Sequence, residues 1–452
     1  MSALTFLVDR FHGHLTQPAV ITPSTSCTFG ELLELVDRRA EELRRLRVGA
    51  GDVVGLEAGF FPAAVATFLA LVGRQSIIAP QSVSNPAGAD RELLAQVTHR
   101  IHVDGTEDLR IERTGRAATH DLYLELASRR HPGLVMFSSG TTGEPKVAVH
   151  DLMLLFEKFH RRRPALRTLA FLSFDHLGGL NTMLHTLSNG AALVSARDRS
   201  PETVCAAIER DRVELLPATP TFFNLLLTSG VHRRHDLSSL RVISYGAEAM
   251  PATTLERLHA AFPSARIQQT YGMNEVGVMR TKSRQDGSLW VKVGGEGYQT
   301  RVVDGELQIQ ARSMFIGYLN SPTPVTSDGW LRTGDMVDQD GEWLRFLGRD
   351  SDLINVGGEK VYPAEVESVI QSMAEVEDAR VHGQSHGLIG EIVCAQVKLR
   401  DSVGTEGFAA ALKRHCRKRL DRFKVPVRVE IVDDLAVGDR FKKLRHSGGP
   451  AR

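Results

Sequence analysis

Between residues 135 and 146, hydroxyl side chains, glycines and one lysine follow a short apolar run. The segment reads Val135-Met136-Phe137-Ser138-Ser139-Gly140-Thr141-Thr142-Gly143-Glu144-Pro145-Lys146. Glycines let consecutive backbone N–H groups converge on one anion, while the hydroxyls add donors and Lys146 adds a positive charge. We therefore predict a polyphosphate-binding loop. It is not a Walker loop, because this segment contains no Gly-Lys-Ser/Thr sequence. Taken alone, it is also compatible with a polar connection.

Three later segments combine glycines with acidic and aromatic residues: Tyr245-Gly246-Ala247-Glu248, Thr270-Tyr271-Gly272-Met273-Asn274-Glu275 and Thr333-Gly334-Asp335. The first two follow predicted strands, and in a parallel sheet they would lie at carboxyl ends, where ligands bind. Tyr271 could stack on a planar base, and Glu275 could hold Mg²⁺ beside phosphates. Asp335 could accept two ribose hydroxyls. Surface turns with a packed tyrosine are the competing interpretation.

Length and composition limit the classes of protein that the chain can represent. Its 452 residues are too many for one core, so we predict two or more domains. A hydrophobic share of 42% and a charged share of 24% are typical of soluble globular proteins. The net charge of +1 gives no general attraction to nucleic acid or to an anionic membrane, and we predict neither partner. Four cysteines without CxxC spacing favour a reducing compartment, which we take to be the cytoplasm.

The order of predicted elements indicates an α/β fold. Thr28 and Glu31 have capping-box spacing at the start of a helix. Strands and helices alternate from there to residue 245, including a predicted strand at 169–174, which implies two doubly wound βα layers. From about residue 285, short alternating strands predict a small β-barrel-like subdomain. A charged boundary at 348–352 then separates domain 1–350 from a small α+β domain, 351–452.

The ordered set of these segments resembles the superfamily of AMP-forming adenylating ligases. That superfamily contains acyl-CoA synthetases, peptide-synthetase adenylation domains and luciferases. Further matching segments are Gly348-Arg349, Gly357-Gly358-Glu359-Lys360-Val361-Tyr362-Pro363-Ala364-Glu365-Val366-Glu367 and a lysine at position 442. The resemblance extends from Thr28 to Lys442. Within the superfamily, the chain is most similar to the acyl/aryl-CoA ligase branch.

The resemblance implies an acid-activating reaction in two steps. A carboxylate attacks the α-phosphate of ATP to form acyl-AMP and pyrophosphate, and the acyl group then passes to CoA or another thiol. Bringing two anions together requires cations and hydrogen-bond donors. The catalytic residues implied are Lys442, Thr142, Glu275 (which would bind Mg²⁺) and His176. The ATP-binding residues implied are Ser138, Ser139, Gly140, Thr141, Thr142, Gly143, Lys146, Gly246, Ala247, Glu248, Tyr271, Gly272, Met273, Asn274, Asp335 and Arg349.

The same resemblance assigns an acid side and a thiol side to the site. His176 matches the aromatic gate of the acid pocket, although a structural histidine is the alternative. The acid-binding residues implied are His176, Asn181, Tyr245, Gly246, Gly272 and Met273, and the bulk of Tyr245 favours a short or planar acid. A mobile C-terminal domain would turn about Asp350 and Ser351. It would then present Gly357, Gly358, Glu359 and Lys360 to the thiol.

Several positions depart from the superfamily pattern. Asn274 replaces the usual Thr or Ser before the Mg²⁺ glutamate, and Ser351 replaces the usual hinge residue. Lys443 follows Lys442 directly and could take its place. The region before the phosphate loop is also shorter than usual.

Alternative functions therefore remain open at the level of sequence. The acceptor could be CoA, the phosphopantetheine of an acyl carrier protein or an amine. Asp175 raises amino-acid adenylation, since amino-acid-activating relatives use an aspartate near this position. A degenerate homologue that only binds nucleotide is the non-enzymatic alternative.

Overall fold

The computed structural model describes most of the chain, namely residues 4–83, 88–104, 109–139, 145–285, 287–295, 297–400 and 404–435. Part of the predicted site lies outside these ranges. This part comprises Gly140, Thr141, Thr142 and Gly143 of the phosphate loop, together with Lys442 and Lys443. The side chain of Ser139 is likewise outside the description.

The helices precede or follow strands through most of the chain, as the sequence pattern predicts. In chain order they are α1 (Thr5–His12), α2 (Phe29–Arg45), α3 (Pro62–Gly73), α4 (Ala89–Leu94), α5 (Asp121–Arg129), α6 (Leu152–Phe156), α7 (Leu177–Ser188), α8 (Pro201–Asp211), α9 (Pro220–Ser229), α10 (Ala252–Ala261), α11 (Pro363–Gln371) and α12 (Phe408–Arg417). Among the described residues, none of these helices has both the length and the apolar character that crossing a membrane requires.

Strands are more frequent in the chain after residue 265 than before it. In chain order they are β1 (Pro18–Ile21), β2 (Ser26–Thr28), β3 (Val53–Ala58), β4 (Ile77–Ser82), β5 (His99–Val103), β6 (Leu109–Arg113), β7 (Gly133–Ser139), β8 (Pro145–Asp151), β9 (Thr168–Leu169), β10 (Leu193–Val194), β11 (Leu215–Ala218), β12 (Val242–Tyr245), β13 (Arg266–Gln269), β14 (Tyr271–Met273), β15 (Gly277–Ser283), β16 (Val291–Gly294), β17 (Tyr298–Val303), β18 (Glu306–Ala311), β19 (Gly317–Tyr318), β20 (Leu331–Asp340), β21 (Trp343–Arg349), β22 (Ile354–Val356), β23 (Glu359–Val361), β24 (Val376–His386), β25 (Gly390–Leu399) and β26 (Arg428–Ile431).

Two seven-stranded sheets with parallel centres form the first part of the chain. One has the order β13-β12-β11-β9-β10-β1-β2, and the other has the order β19-β8-β7-β4-β3-β5-β6. Helix α3 is apolar on every side and is buried almost throughout, as expected for a helix packed inside such layers. Helix α2 begins with the predicted capping box, in which Thr28 and Glu31 exchange side-chain and backbone hydrogen bonds. The predicted α/β class is confirmed.

The strand that we predict at residues 169–174 is wrong in extent. Only Thr168–Leu169 forms a strand, because the Phe171 N–H turns back to the Leu169 carbonyl oxygen at 3.0 Å instead of continuing the ladder. The chain then turns again before α7, where the His176 N–H donates to the Ser173 carbonyl oxygen. Phe171 and Phe174 are buried in two different cores. Their apolar character therefore reflects core packing rather than membership of a strand.

The remaining sheets are antiparallel or mixed and lie later in the chain. A third seven-stranded sheet has the order β14-β15-β16-β21-β20-β18-β17, and it corresponds to the predicted barrel-like subdomain. Strands β22 to β26 form the last sheet, and α11 and α12 pack on it. This last part has its own apolar core, which begins at Ile354.

The turn before α7 leaves no space for a side chain at Gly179. A Cβ built there would lie 2.2 Å from the Ser173 carbonyl oxygen and 2.7 Å from that of Leu172. Since both are backbone atoms, we expect Gly179→Ala to destabilise the protein by about 2–4 kcal/mol, as measured by denaturant unfolding. Gly387→Ala is the matched control, because nothing lies within 4 Å of its Cβ position. Equal stability of the two variants would contradict the structure of this turn.

Candidate active site

The predicted phosphate loop connects two antiparallel strands. β7 and β8 pair so that Ser138 lies opposite Lys146, which places the lysine at the base of the loop. A Walker loop leads from a strand into a helix, so this hairpin confirms that the segment is of another kind. At this end of the hairpin the described residues include a hydroxyl side chain, Ser138, and an ammonium side chain, Lys146, and both are donors that a polyphosphate can use.

Residues that the sequence analysis missed hold the second strand of this hairpin. Strand β19 pairs with β8, with Tyr318 opposite Ala148. Asn320 accepts a hydrogen bond from the Val147 N–H at 3.0 Å and donates to the Pro145 carbonyl oxygen at 2.8 Å. The signal available was the segment Gly317-Tyr318-Leu319-Asn320, in which a glycine, an aromatic residue and an amide follow one another closely. These contacts fix the strand that carries Lys146.

Glu275 lies beside the base of the hairpin. Its side chain is buried, and one carboxylate oxygen accepts a hydrogen bond from the Tyr318 hydroxyl. The Lys146 ammonium lies 5.4 Å from the centre of the Tyr318 ring, so Tyr318 stands between the two charges. Burial and the charge of Glu275 raise the pKa of Tyr318, which keeps its hydroxyl protonated as a donor. Asn274 ties the same turn to β7 through a 3.3 Å hydrogen bond to the Phe137 carbonyl oxygen.

The surroundings of Glu275 fit Mg²⁺ shared with a phosphate. Magnesium usually keeps several waters and takes one or two carboxylates together with phosphate oxygens. Within the described residues, no cluster of three His, Cys, Asp or Glu side chains forms an all-protein metal cage. The Tyr318 hydroxyl bonds to one oxygen of Glu275, and a carboxylate has acceptor capacity beyond one donor. Glu275 is therefore a suitable single protein ligand for the ion.

A second cluster gathers Tyr271, Asp335 and Arg349. The Tyr271 hydroxyl donates to one oxygen of Asp335 at 2.5 Å, and Arg349 Nε lies 3.2 Å from the other oxygen. Asp335 and Arg349 are paired directly across β20 and β21. Burial, followed by the charge of Asp335, raises the pKa of Tyr271, and the Asp335 charge also raises that of Arg349. The structure thus brings together three residues that are distant in sequence.

The Tyr271 ring also stacks on Phe346, with ring centres 4.6 Å apart and planes 19° from parallel. Phe346 was missed by the sequence analysis, although an aromatic residue three positions before Arg349 was a usable signal. The Tyr271 ring is packed against the protein on this face, so base stacking can involve only its other face. Phe346 thereby fixes the orientation of the ring.

The two glycine-containing segments after β12 and β13 leave the same sheet edge. β12 and β13 are parallel, and Tyr245 lies opposite Gln269, which confirms the predicted placement at neighbouring carboxyl ends. Gly246 has no space for a side chain, since its Cβ position lies 2.5 Å from Thr270 Oγ1. Ala247 adopts a positive φ of 70°. Glu248 accepts hydrogen bonds from the hydroxyl and N–H of Thr221, at 2.7 and 3.2 Å.

His176 is the N-cap residue of helix α7, whose first turns line a small cavity. His176 Nδ1 accepts a hydrogen bond from the Gly178 N–H at 2.9 Å, so the ring caps the helix. Leu180 and Asn181 of α7 line the cavity, and Gly277 lies on its wall. Because Gly277 is two residues after Glu275, the cavity adjoins the turn that carries this carboxylate.

Of the residues predicted to bind the acid, Asn181 is the one that lines this cavity. Tyr245 instead lies in the core of the other sheet, where its hydroxyl is 3.4 Å from Gln269 Oε1. Gly272 packs against the neighbouring strand, with its Cβ position 2.7 Å from the Gly277 carbonyl oxygen. Met273 packs beside the core of the antiparallel sheet. The residues predicted to bind the acid therefore lie in different parts of the structure and do not all line this cavity.

The predicted thiol-side loop and hinge lie in the last part of the structure. Gly357 and Gly358 form the turn between β22 and β23 with φ values of 62° and 95°, and Glu359 and Lys360 are exposed. Asp350 and Ser351 lie in a short 3-10 helix, Asp350–Asp352, directly after β21. Across the boundary, Asn224 of α9 donates to the Glu377 carbonyl oxygen at 3.3 Å.

Two protein-family models match the chain. The model described as AMP-binding enzyme matches residues 9–319, and the model described as AMP-binding enzyme C-terminal domain matches residues 365–438. A propanoyl:CoA ligase of Mycobacterium tuberculosis, whose acyl group carries a 7a-methyl-1,5-dioxo-octahydro-1H-inden-4-yl substituent, is 32% identical over 375 residues. That alignment covers 77% of this chain and 73% of the relative. The 2-succinylbenzoate–CoA ligase of Geobacillus sp. (strain WCH70) is 28% identical over 484 residues, with 96% of each chain covered.

A solved structure supports the same fold. The anthranilate CoA ligase AuaEII, in complex with anthranoyl-AMP, superimposes with a TM-score of 0.82 at 20% identity, covering 98% of this chain and 95% of that one. The family models cover most of the chain, and they include both the hairpin of Lys146 and the turn of Glu275. The chain is therefore a member of the AMP-binding enzyme family.

Proposed function

We propose that the protein activates a small carboxylic acid with ATP and transfers the acyl group to a thiol. The first step would form acyl-AMP with release of pyrophosphate, and the second would form a thioester with release of AMP. The observation that carries the proposal is the juxtaposition of Lys146, Tyr318 and Glu275 at the base of the phosphate hairpin. This grouping supplies a fixed cation and a buried carboxylate at the place where a triphosphate would bind.

In this proposal, the chain's residues bind and orient the two reactants. Lys146 and the hairpin donors would hold the β- and γ-phosphates, and Asp335 would accept ribose hydroxyls with Arg349 beside it. Tyr271 would offer adenine the ring face opposite Phe346. Mg²⁺, held by Glu275, would neutralise charge on the phosphates. With these groups fixed in advance, the carboxylate oxygen can approach the α-phosphate without reorganising the site.

The proposed thiol acceptor is CoA, because the named relatives are CoA ligases. The phosphopantetheine of an acyl carrier protein is the second candidate, and it would present the same thiol to the exposed loop at Gly357 and Gly358. A thioester assay that offers the protein CoA and a pantetheinylated carrier separately tests the acceptor. CoA is expected to give the higher kcat/KM, whereas thioester formation on the carrier alone would overturn this assignment.

The mobile lysine is proposed to be Lys442. We expect Lys442→Ala to slow acid-dependent pyrophosphate exchange about 100-fold to 1,000-fold, as removal of one transition-state donor does, while Lys443→Ala stays near the wild type. Both variants should convert synthetic acyl-AMP to the thioester at the normal rate, because that step no longer needs the bridging cation. The reverse pattern in exchange would assign the role to Lys443. Full exchange activity in the double variant, in which both lysines are replaced by alanine, would exclude this lysine pair.

We also propose that residues 1–350 and 351–452 are separate domains, with rotation about Asp350 and Ser351 between the two steps. In support, the last part has its own core, and the exposed 3-10 helix Asp350–Asp352 connects it to β21. A cytoplasmic location is proposed on the basis of the four cysteines, which are all buried and form no disulfide.

A further inference from the structure

Lys158 lies on the wall of the cavity beside α7. It belongs to the short 3-10 helix Glu157–Phe159, which directly follows α6. Its ammonium donates to the Val278 carbonyl oxygen at 3.0 Å and lies 5.0 Å from the centre of the Phe159 ring. The cavity wall around it is formed mainly by apolar side chains, including Phe68, Leu155 and Leu180.

Lys158 is the charged residue of this wall, and its one described hydrogen bond leaves donors unused. An ammonium group has three N–H donors, and the Val278 carbonyl oxygen accepts one of them. Among the residues that the structure describes, no carboxylate pairs with Lys158. An ammonium in apolar surroundings is costly unless a countercharge and acceptors satisfy it. The Lys158 ammonium therefore lacks a countercharge among the described residues, and an anionic ligand can provide one.

The titratable groups near Lys158 do not provide this partner. Burial lowers the pKa of Lys158 to about 7. His185 and His150 have pKa values lowered to about 4, first by burial and further by the charge of Lys158. Both histidines are therefore neutral near pH 7. An anion that enters the cavity would favour the charged form of Lys158, because an opposite charge stabilises the ammonium.

The position of Lys158 connects the cavity to the proposed acyl-AMP site. Val278, which accepts its hydrogen bond, lies directly opposite Gly272 in the β14–β15 pair. The same hairpin carries Tyr271 and the turn of Glu275. On the other side, α7 lines the cavity and begins at His176. An acid whose reacting carboxylate faces the nucleotide can therefore extend along the cavity toward Lys158.

We infer that Lys158 is a specificity-determining residue that binds a second carboxylate on the acid substrate. This inference rests on the proposed function, and it narrows the substrate class to small dicarboxylic acids. A carboxylate supplies both the countercharge and acceptors for the remaining N–H donors, in a charge-assisted hydrogen bond. A ketone at the same position supplies acceptors without the charge, so keto acids rank second and plain monocarboxylic acids last.

The test compares three acids of equal chain length that share the carboxylate to be activated. They differ at the far end of the chain, which carries a second carboxylate, a ketone or no polar group. Acid-dependent pyrophosphate release is measured for the wild type and for Lys158→Met, which keeps the length of the side chain without its charge. Lys158→Gln is the second variant, in case methionine is poorly accommodated. Lys282→Met is the matched control, because Lys282 is an exposed lysine on β15, the strand whose Val278 accepts the hydrogen bond from Lys158.

The wild type is expected to use the dicarboxylic acid best. Lys158→Met should lower kcat/KM for this acid about 100-fold, mainly through KM, and should leave the monocarboxylic acid unchanged or improved. Lys282→Met should leave kcat/KM unchanged for both the dicarboxylic and the monocarboxylic acid. An unchanged ranking of the three acids in both Lys158 variants would overturn the inference while leaving the ligase activity established.

A binding measurement separates the inference from the proposed function. Each acid is titrated into the wild type and Lys158→Met with ATP and Mg²⁺ present, and the shift in melting temperature is recorded. If no acid is activated but the dicarboxylic acid stabilises only the wild type, the inference holds and the proposed reaction fails. If the dicarboxylic acid stabilises neither protein or both equally, the inference fails.

Discussion

Replacing Glu275 by glutamine is expected to lower kcat/KM for ATP by about 100-fold or more, with little loss of stability. Glutamine has nearly the same shape, and its amide oxygen can still accept the hydrogen bond from Tyr318. The lost feature is the negative charge, which Mg²⁺ beside the triphosphate requires. Pyrophosphate exchange measured against Mg²⁺ concentration tests this expectation, because the variant should need more of the ion.

Glu342→Gln is the matched control for this substitution. Glu342 is exposed and pairs with Lys292 on the surface, so loss of its charge should change activity little. A melting temperature for each variant separates loss of catalysis from loss of folding. If Glu275→Gln retained the wild-type rate and the wild-type requirement for Mg²⁺, Glu275 would not be the metal ligand.

Replacing Asp335 by asparagine is expected to raise the KM for ATP about 100-fold. In the structure, the two oxygens of Asp335 contact the Tyr271 hydroxyl and Arg349. An asparagine keeps one acceptor but replaces the other by a donor and removes the charge, so it cannot accept two ribose hydroxyls. The loss corresponds to about 2–3 kcal/mol, as expected for charge-assisted hydrogen bonds.

A nucleotide analogue provides the control for Asp335. The wild type should use 2′,3′-dideoxy-ATP much less well than ATP, because the analogue lacks both hydroxyls. Asp335→Asn should discriminate little between the two nucleotides, since the group that recognises the ribose is gone. Full discrimination in the variant would show that another residue binds the ribose.

The sequence predicted the fold class because the relevant signals are local. The capping box at Thr28 depends on residues within one turn of helix, and the alternation of strands and helices follows from side-chain periodicity. The strand predicted at 169–174 failed for a tertiary reason. Phe171 and Phe174 are buried by packing in two cores rather than by membership of a sheet.

The candidate site was predictable in part for a related reason. Glycine, hydroxyl and charged residues at the phosphate hairpin and at Asp335 reveal their chemistry by type and spacing. By contrast, Tyr318 and Phe346 are aromatic residues whose roles depend on what lies across the sheet, namely Glu275 and Tyr271. Lys158 gave no sequence signal, because a single lysine among apolar residues is ordinarily a surface residue. Only the structure places it on a cavity wall.

The most direct test of the central claim is to identify the nucleotide products formed with a carboxylic acid that the protein accepts. ATP labelled at the α- and γ-phosphates would be incubated with the wild type, Mg²⁺ and this acid, and the labelled products would be separated. Formation of AMP and pyrophosphate, dependent on the acid and lost in Glu275→Gln, is the expected result. Acid-dependent formation of ADP and phosphate would contradict the proposed chemistry at this site.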